Sequence, residues 1–266
     1  MKEPKCTPTT SRPAYWVFLS LIFCDALLIG LHGWHVSHSA YVRNFALSAY
    51  EHPLYSLLDI FNLDAEGTAA AWYSSAKLLL IGLFSISIYW MRREYMGRLG
   101  ALWFLMGLTF IALSLDESAS IHERSAGIIM SFKEAEWLRA SLLRGDDLKD
   151  SFAWVVLFSP LIAGLLLMFA WAFVNELSCT RIALVVSLLG IGCFAASVLL
   201  EASIYLAPDV KDWEESFMSL YIILTSVEEL AEMLGATLIL SALTLHWIIV
   251  FRETFVATKH EAESYA

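Results

Sequence analysis

Apolar residues run along this chain in long blocks. They cover Ala14–Leu31, Ala69–Tyr89, Leu99–Leu115, Phe152–Val174, Ile182–Leu206 and Leu220–Val250. Crossing the hydrocarbon of a bilayer takes roughly 20 residues of helix, and a helix satisfies its own backbone there. The pattern predicts an all-α polytopic membrane bundle of six transmembrane helices, with residues 1–266 forming a single integral membrane domain. Met1–Leu31 begins with basic residues and an apolar stretch, as a signal peptide would. Asp25 interrupts that stretch and no A-x-A site follows, so it reads as an uncleaved first span.

Between the blocks, Ser131–Leu143 places Phe132, Ala135, Leu138 and Leu142 on one helical face. A helix lying flat on the membrane has this pattern. Pro53–Phe61 reads as a shorter counterpart, and Asp64 or Thr68 suits the N-cap of the second span. No internal repeat stands out.

Orientation follows from the basic residues. With the N-terminus inside, nine Lys and Arg fall on inner segments and seven on outer ones. The short segments are clearer: Arg92, Arg93 and Arg98 crowd one inner turn, and Lys2, Lys5 and Arg12 precede the first span. The tryptophans fit the same six crossings. Trp16, Trp90, Trp103, Trp171 and Trp247 fall at one interface, and Trp34, Trp72, Trp154 and Trp213 at the other. The expectation is a bacterial inner-membrane protein with both termini cytoplasmic.

Composition sharpens this picture. The chain is 58% hydrophobic and 17% charged, with a net charge of −10. Without a basic stripe, nucleic acid is excluded as a partner, and membrane lipid is the expected one. Cys6, Cys24, Cys179 and Cys193 form no CxxC pair and read as free thiols.

Much of the acidity lies in or beside the apolar blocks, where charge is expensive. The third span ends with Asp116, Glu117, His122 and Glu123. If its helix continued, Asp116, Ser120 and Glu123 would share one face. The sixth span carries Glu228, Glu229 and Glu232 within one narrow arc. The fifth brings Glu201, the first Asp25 and His32, the second Lys77. Allowing for alternating direction, these residues gather in one half of the bundle, the outer half in this orientation. Facing lipid they would each cost several kcal/mol, so they are expected to face one another or a water-filled cavity.

Carboxylates with imidazoles suit a divalent metal such as Fe, Mn or Zn. Di-iron bundle proteins use four carboxylates and two histidines. Here His32, His122, Glu123, Glu201, Glu228 and Glu232 offer such an inventory, with Asp116 as ligand or support, and the site is possibly dinuclear. No E-x-x-H pair is present. Glu117 and Glu229 are the candidates for general acid or base, while Asp25 and Lys77 are supporting polar residues, Lys77 offsetting the negative charge. The function expected is a metal-dependent hydrolase or oxidoreductase acting on a lipid or apolar substrate. The alternatives are a cation or proton-coupled transporter and a non-catalytic membrane partner of a complex. His35 and His38 read as surface residues and His246 as interfacial, with Met218 and Met233 as core packing.

Asp25…His32, Lys77, Asp116-Glu117-x-x-x-x-His122-Glu123, Glu201 and Glu228-Glu229-x-x-Glu232-Met233 together resemble an uncharacterised family of bacterial multi-pass membrane proteins. The resemblance implies that these positions work together and names no reaction.

The orientation has a direct test. Cysteines placed at Arg43, Lys133 and Lys211 are expected to react with an impermeant maleimide added outside intact cells. Labelling of the Lys133 position from the cytoplasmic side alone would reverse the orientation.

Overall fold

The computed structural model describes residues 12–44, 57, 59–63, 65, 67–96, 98–122, 124, 125, 128, 153–178, 180–205 and 215–264. They form six long helices: α1 (Arg12–Asn44), α2 (Ala69–Met96), α3 (Arg98–Ala119), α4 (Ala153–Leu177), α5 (Arg181–Tyr205) and α6 (Glu215–Ser264). Each holds a segment long and apolar enough to cross a membrane. The all-α membrane architecture and its six spans therefore stand as expected. Asp64, most of Pro53–Phe61 and Ser131–Leu143 lie outside the described residues. Thr68 does cap α2, its Oγ1 accepting from the Ala71 N–H at 3.2 Å.

Hydrophobic side chains face outward in number, as lipid allows. Phe23, Leu167, Leu199 and Phe255 are largely exposed, and so are Trp16, Trp34, Trp72, Trp90 and Trp171. Trp103 departs from the expected interfacial belt. It is fully buried, its ring 6.0 Å from that of Phe173. His35 and His246 are buried rather than superficial. His35 sits 6.3 Å from the His32 ring, and His246 sits 6.1 Å from the Trp103 ring. The side chain of His38 is outside the described residues.

The core is organised by two tight hairpins, α2–α3 and α5–α6, with α6 also packing on α1 and α2. α4 lies against α5 and touches α3 more lightly. In α2–α3 the backbones cross at glycines. A Cβ on Gly82 would fall 2.7 Å from Ile111 Cγ1 and 2.8 Å from the Gly107 carbonyl oxygen. In α5–α6 a Cβ on Gly190 would fall 2.7 Å from Ile239 Cγ1 and 2.9 Å from the Gly235 carbonyl oxygen. Small residues let membrane helices approach this closely, where packing must supply the adhesion that lipid does not.

Helix directions follow from the contacts. Lys77 meets Met233 and Thr237, and farther along both helices Ser87 meets Trp247. α2 and α6 therefore run parallel, while α3 and α5 run the opposite way.

Where α1, α2 and α6 meet, two charges are buried. Lys77 Nζ lies 2.9 Å from Asp25 Oδ1, and each side chain is 2% exposed. Lys77 also donates to the Met233 carbonyl at 2.9 Å and to Thr237 Oγ1 at 3.2 Å. Thr237 in turn donates to Asp25 Oδ2 at 2.7 Å. The Tyr73 ring covers the ammonium at 4.3 Å. Lys77 thus neutralises a single aspartate of α1 through a defined ion pair. Breaking a buried pair by removing one partner strands the other charge. Lys77→Met is therefore expected to cost about 3–5 kcal/mol, read as a lower unfolding temperature in detergent. Pairing it with Asp25→Leu is expected to restore most of the loss. Equal stability of Lys77→Met and wild type would make the pair incidental.

Candidate functional site

A cavity of about 530 Å³ opens among α2, α3, α4, α5 and α6. Its two ends differ in chemistry. One is lined by Asp116, Glu117, Glu201, Glu228, Glu229 and Glu232, with His122, Ser120 and Thr225. The other is apolar, and its wall includes Phe110, Phe169 and Phe194. The Phe110 ring stacks on Phe169 at 5.4 Å and tilts against Phe194 at 6.5 Å. Three spans thus contribute one aromatic wall.

The acidic end depends on how α3 terminates. The helix stops at Ala119, and Ser120 takes a positive φ of 46°. This is the left-handed region, costly for a residue with a Cβ. The break overturns the expectation of a continuous helix through Glu123, and its partners explain it. Ser120 N–H still donates to the Asp116 carbonyl at 2.7 Å. Past the turn, the His122 N–H donates to Asp116 Oδ1 at 2.7 Å. The His122 ring returns to Asp116 as well, Nδ1 lying 2.7 Å from Oδ2. One carboxylate thus holds the turn that follows α3 and orients the imidazole.

Glu117 and Glu232 approach from α3 and α6 closely enough to interact electrostatically, and His122 lies within reach of both. Ser197 of α5 lies close to Glu232, its hydroxyl donating to the Phe194 carbonyl at 2.9 Å. α3 and α6 do not pack along their length. They face each other across the cavity, with α2 and α5 as their close neighbours.

The chain belongs to the family described as Domain of unknown function (DUF8692). The family matches residues 20–247, which contain every residue named in the lining of the cavity. No curated protein and no solved structure matches the chain.

Within this DUF8692 bundle the sequence-predicted residues divide into groups. Asp116, Glu117, His122, Glu201, Glu228, Glu229 and Glu232 line the one cavity. Glu123 lies outside the described residues. Asp25 and Lys77 form the adjacent ion pair, near enough for Lys77 to feel the Glu117 charge. His32 stands apart from the cavity lining, and both its ring nitrogens are engaged. The Leu63 N–H donates to Nδ1 at 3.1 Å. Nδ1 is thereby an acceptor, and Nε2 carries the proton toward Ser226 Oγ at 3.1 Å.

Among the described residues no three His, Cys, Asp or Glu side chains gather as metal donors. Asp116 and His122 spend their facing atoms on each other. The described residues bring together no donor set for the expected metal, and Glu123 lies outside them.

Sequence reasoning missed the aromatic wall and Ser197. Phenylalanines in apolar spans carry no signal that separates a cavity lining from a lipid-facing side. It also missed Arg92, Glu176 and His246 as a second polar cluster at the other side of the bundle. Arg92 and Glu176 form an ion pair, and His246 Nε2 lies 3.3 Å from Glu176 Oε1.

The strained turn yields a test. A β-branched residue tolerates left-handed φ poorly, so Ser120→Val is expected to cost about 1–2 kcal/mol. It should also release His122 from Asp116, seen as an altered histidine ring resonance. An unchanged resonance would mean that the turn does not hold the imidazole.

Proposed function

We propose that this membrane protein binds a lipid-like amphiphile, with the cationic polar group among the carboxylates and the apolar part against Phe110, Phe169 and Phe194. One observation carries the reading: a single cavity combines an acidic end, lined by six carboxylates among the described residues, with an aromatic end. Ligand cavities of this size suit molecules with a large apolar body and a few fixed polar groups. The bilayer is the natural source of such a ligand, because the cavity lies among membrane-spanning helices. In the orientation expected from the basic residues, within a bacterial inner membrane, the acidic end faces the periplasm.

A second reading is an enzyme working on the same occupant, and the approach of Glu117 to Glu232 favours it. Two carboxyl groups at one polar end can serve as proton donor and proton acceptor toward a bound substrate. Ser197 and His122 would hold them in place. Hydrolase chemistry on a lipid or apolar substrate fits this arrangement; an Fe, Mn or Zn centre needs donors beyond those brought together here.

The test uses dodecylammonium carrying a photoreactive diazirine in its chain, beside the dodecyl sulfonate of the same design. The ammonium probe is expected to crosslink to peptides containing Phe110, Phe169 or Phe194, and the sulfonate is not. Hydrogen bonds to charged groups contribute about 1.5–3 kcal/mol each. Glu117→Gln with Glu232→Gln is therefore expected to weaken ammonium binding by about tenfold or more. Equal labelling by both probes would remove the charge complementarity on which the reading rests. Metal analysis of the purified protein beside Glu232→Ala separates the enzyme readings. Stoichiometric metal lost in the variant would restore the metal centre.

A further inference from the structure

The two hairpins repeat each other in chain order. Gly82 and Gly190 hold equivalent places in α2 and α5, and Gly107 and Gly235 in α3 and α6. A Cβ on either of the first pair would meet the same three kinds of atom: the partner isoleucine Cγ1, the partner glycine oxygen and the partner isoleucine nitrogen. The distances are 2.7, 2.8 and 3.1 Å for Gly82, and 2.7, 2.9 and 3.2 Å for Gly190. The reciprocal contacts also correspond, since Gly107 meets Ile86 and Gly235 meets Phe194. Each of those residues lies one turn beyond its own hairpin's first glycine. The sequences concur where the helices cross: Gly107-Leu-Thr-Phe-Ile111 in α3 and Gly235-Ala-Thr-Leu-Ile239 in α6.

Direction is what differs. α2 runs parallel to α6, so the chain-order match of α2 with α5 and α3 with α6 pairs helices of opposite sense. The α2–α3 and α5–α6 hairpins are thus related by a pseudo-twofold axis lying in the membrane plane, while α1 packs on α6 and α4 on α5. Secondary transporters are commonly built this way, with the substrate between the halves and rocking of one half against the other.

The halves are not packed symmetrically. α2 lies against α6, tied by Lys77, Met233, Thr237, Ser87 and Trp247. Its inverted counterpart is α5 against α3, and that pair has the cavity between it, with a ring contact from Phe110 to Phe194. An inverted repeat with one interface shut and its counterpart open has the geometry in which the two can exchange.

We propose that this chain alternates between these states and so carries the occupant of its cavity across the membrane. In the second state α3 and α5 close, α2 and α6 part, and the cavity opens on the side of Ser87 and Trp247. The passage rests on the amphiphile binding proposed above; the exchange of interfaces rests on the hairpins alone.

The experiment uses the full chain with its four cysteines replaced, reconstituted in liposomes. Spin labels go on exposed positions: Leu115 with Leu199 across α3–α5, and Trp90 with Phe251 across α2–α6. Each pair is expected to show two distances, and conditions that shorten the first pair should lengthen the second. A disulfide between Ser87→Cys and Trp247→Cys is expected to hold α2–α6 shut, leave the first pair at its longer distance and retain binding of dodecylammonium. Uptake of radiolabelled decyltrimethylammonium, which has no neutral form to leak through lipid, should occur in the unlocked protein and be lost on locking. One fixed distance in both pairs, with and without that probe, would overturn the exchange. Exchange without uptake would overturn the passage. Exchange in a protein that the ammonium probe fails to label would uphold the repeat and reject the amphiphile reading.

Discussion

A charge buried in a membrane bundle must find its partner within the protein, and this constraint sorts the polar residues of the chain. Lys77 could have served any of several carboxylates. It settles on Asp25, where Thr237 and the Met233 carbonyl complete the coordination of the ammonium and Thr237 reaches the second carboxylate oxygen. The set is closed: each donor has an acceptor and each carboxylate oxygen has a hydrogen. It draws α1 and α2 onto α6 and commits Lys77 to an aspartate that stands apart from the described lining of the cavity.

Packing works on the other half of the problem. Hairpins locked at glycines behave as stiff units, because any side chain larger than hydrogen would push the backbones apart. Between two stiff units the adjustable surface is the seam. The seam here is filled on the α2–α6 side and hollow on the α3–α5 side. The apolar part of the hollow can be held open only by something apolar or by the stiffness of its walls, since water gains nothing from facing phenylalanine.

How much of this was legible in the residues can be argued case by case. The six spans were, because blocks of twenty apolar residues have few other uses. So was the gathering of Asp116, Glu117, Glu201, Glu228, Glu229 and Glu232, because alternating direction fixes depth and depth alone brings them level. Azimuth was not legible. Nothing in the sequence says which helix Lys77 faces, so its pairing with Asp25 had to be seen. The bond from His122 to Asp116 was equally hidden. The two residues are six apart, which on a continuous helix places them on different faces, and the turn that joins them is made by a serine where glycine would have announced it. The hairpin likeness escaped because the two hairpins share few residues outside the crossings, and four glycines among thirteen are not conspicuous. His32 looked like a ligand on its spacing from Asp25, yet a backbone amide and a serine occupy its ring.

α6 extends well past its apolar segment. Its membrane-crossing part ends at Arg252, while the helix continues to Ser264. At 1.5 Å per residue, the 50 residues of α6 make a rod of about 75 Å. Glu228 and Glu232 stand about a third of the way along that rod, and its last turns lie beyond the apolar segment at the other end. In a helix of this length a small tilt at the carboxylates becomes a large displacement of the far tip, so the end of α6 is where a change of angle at the site is easiest to see.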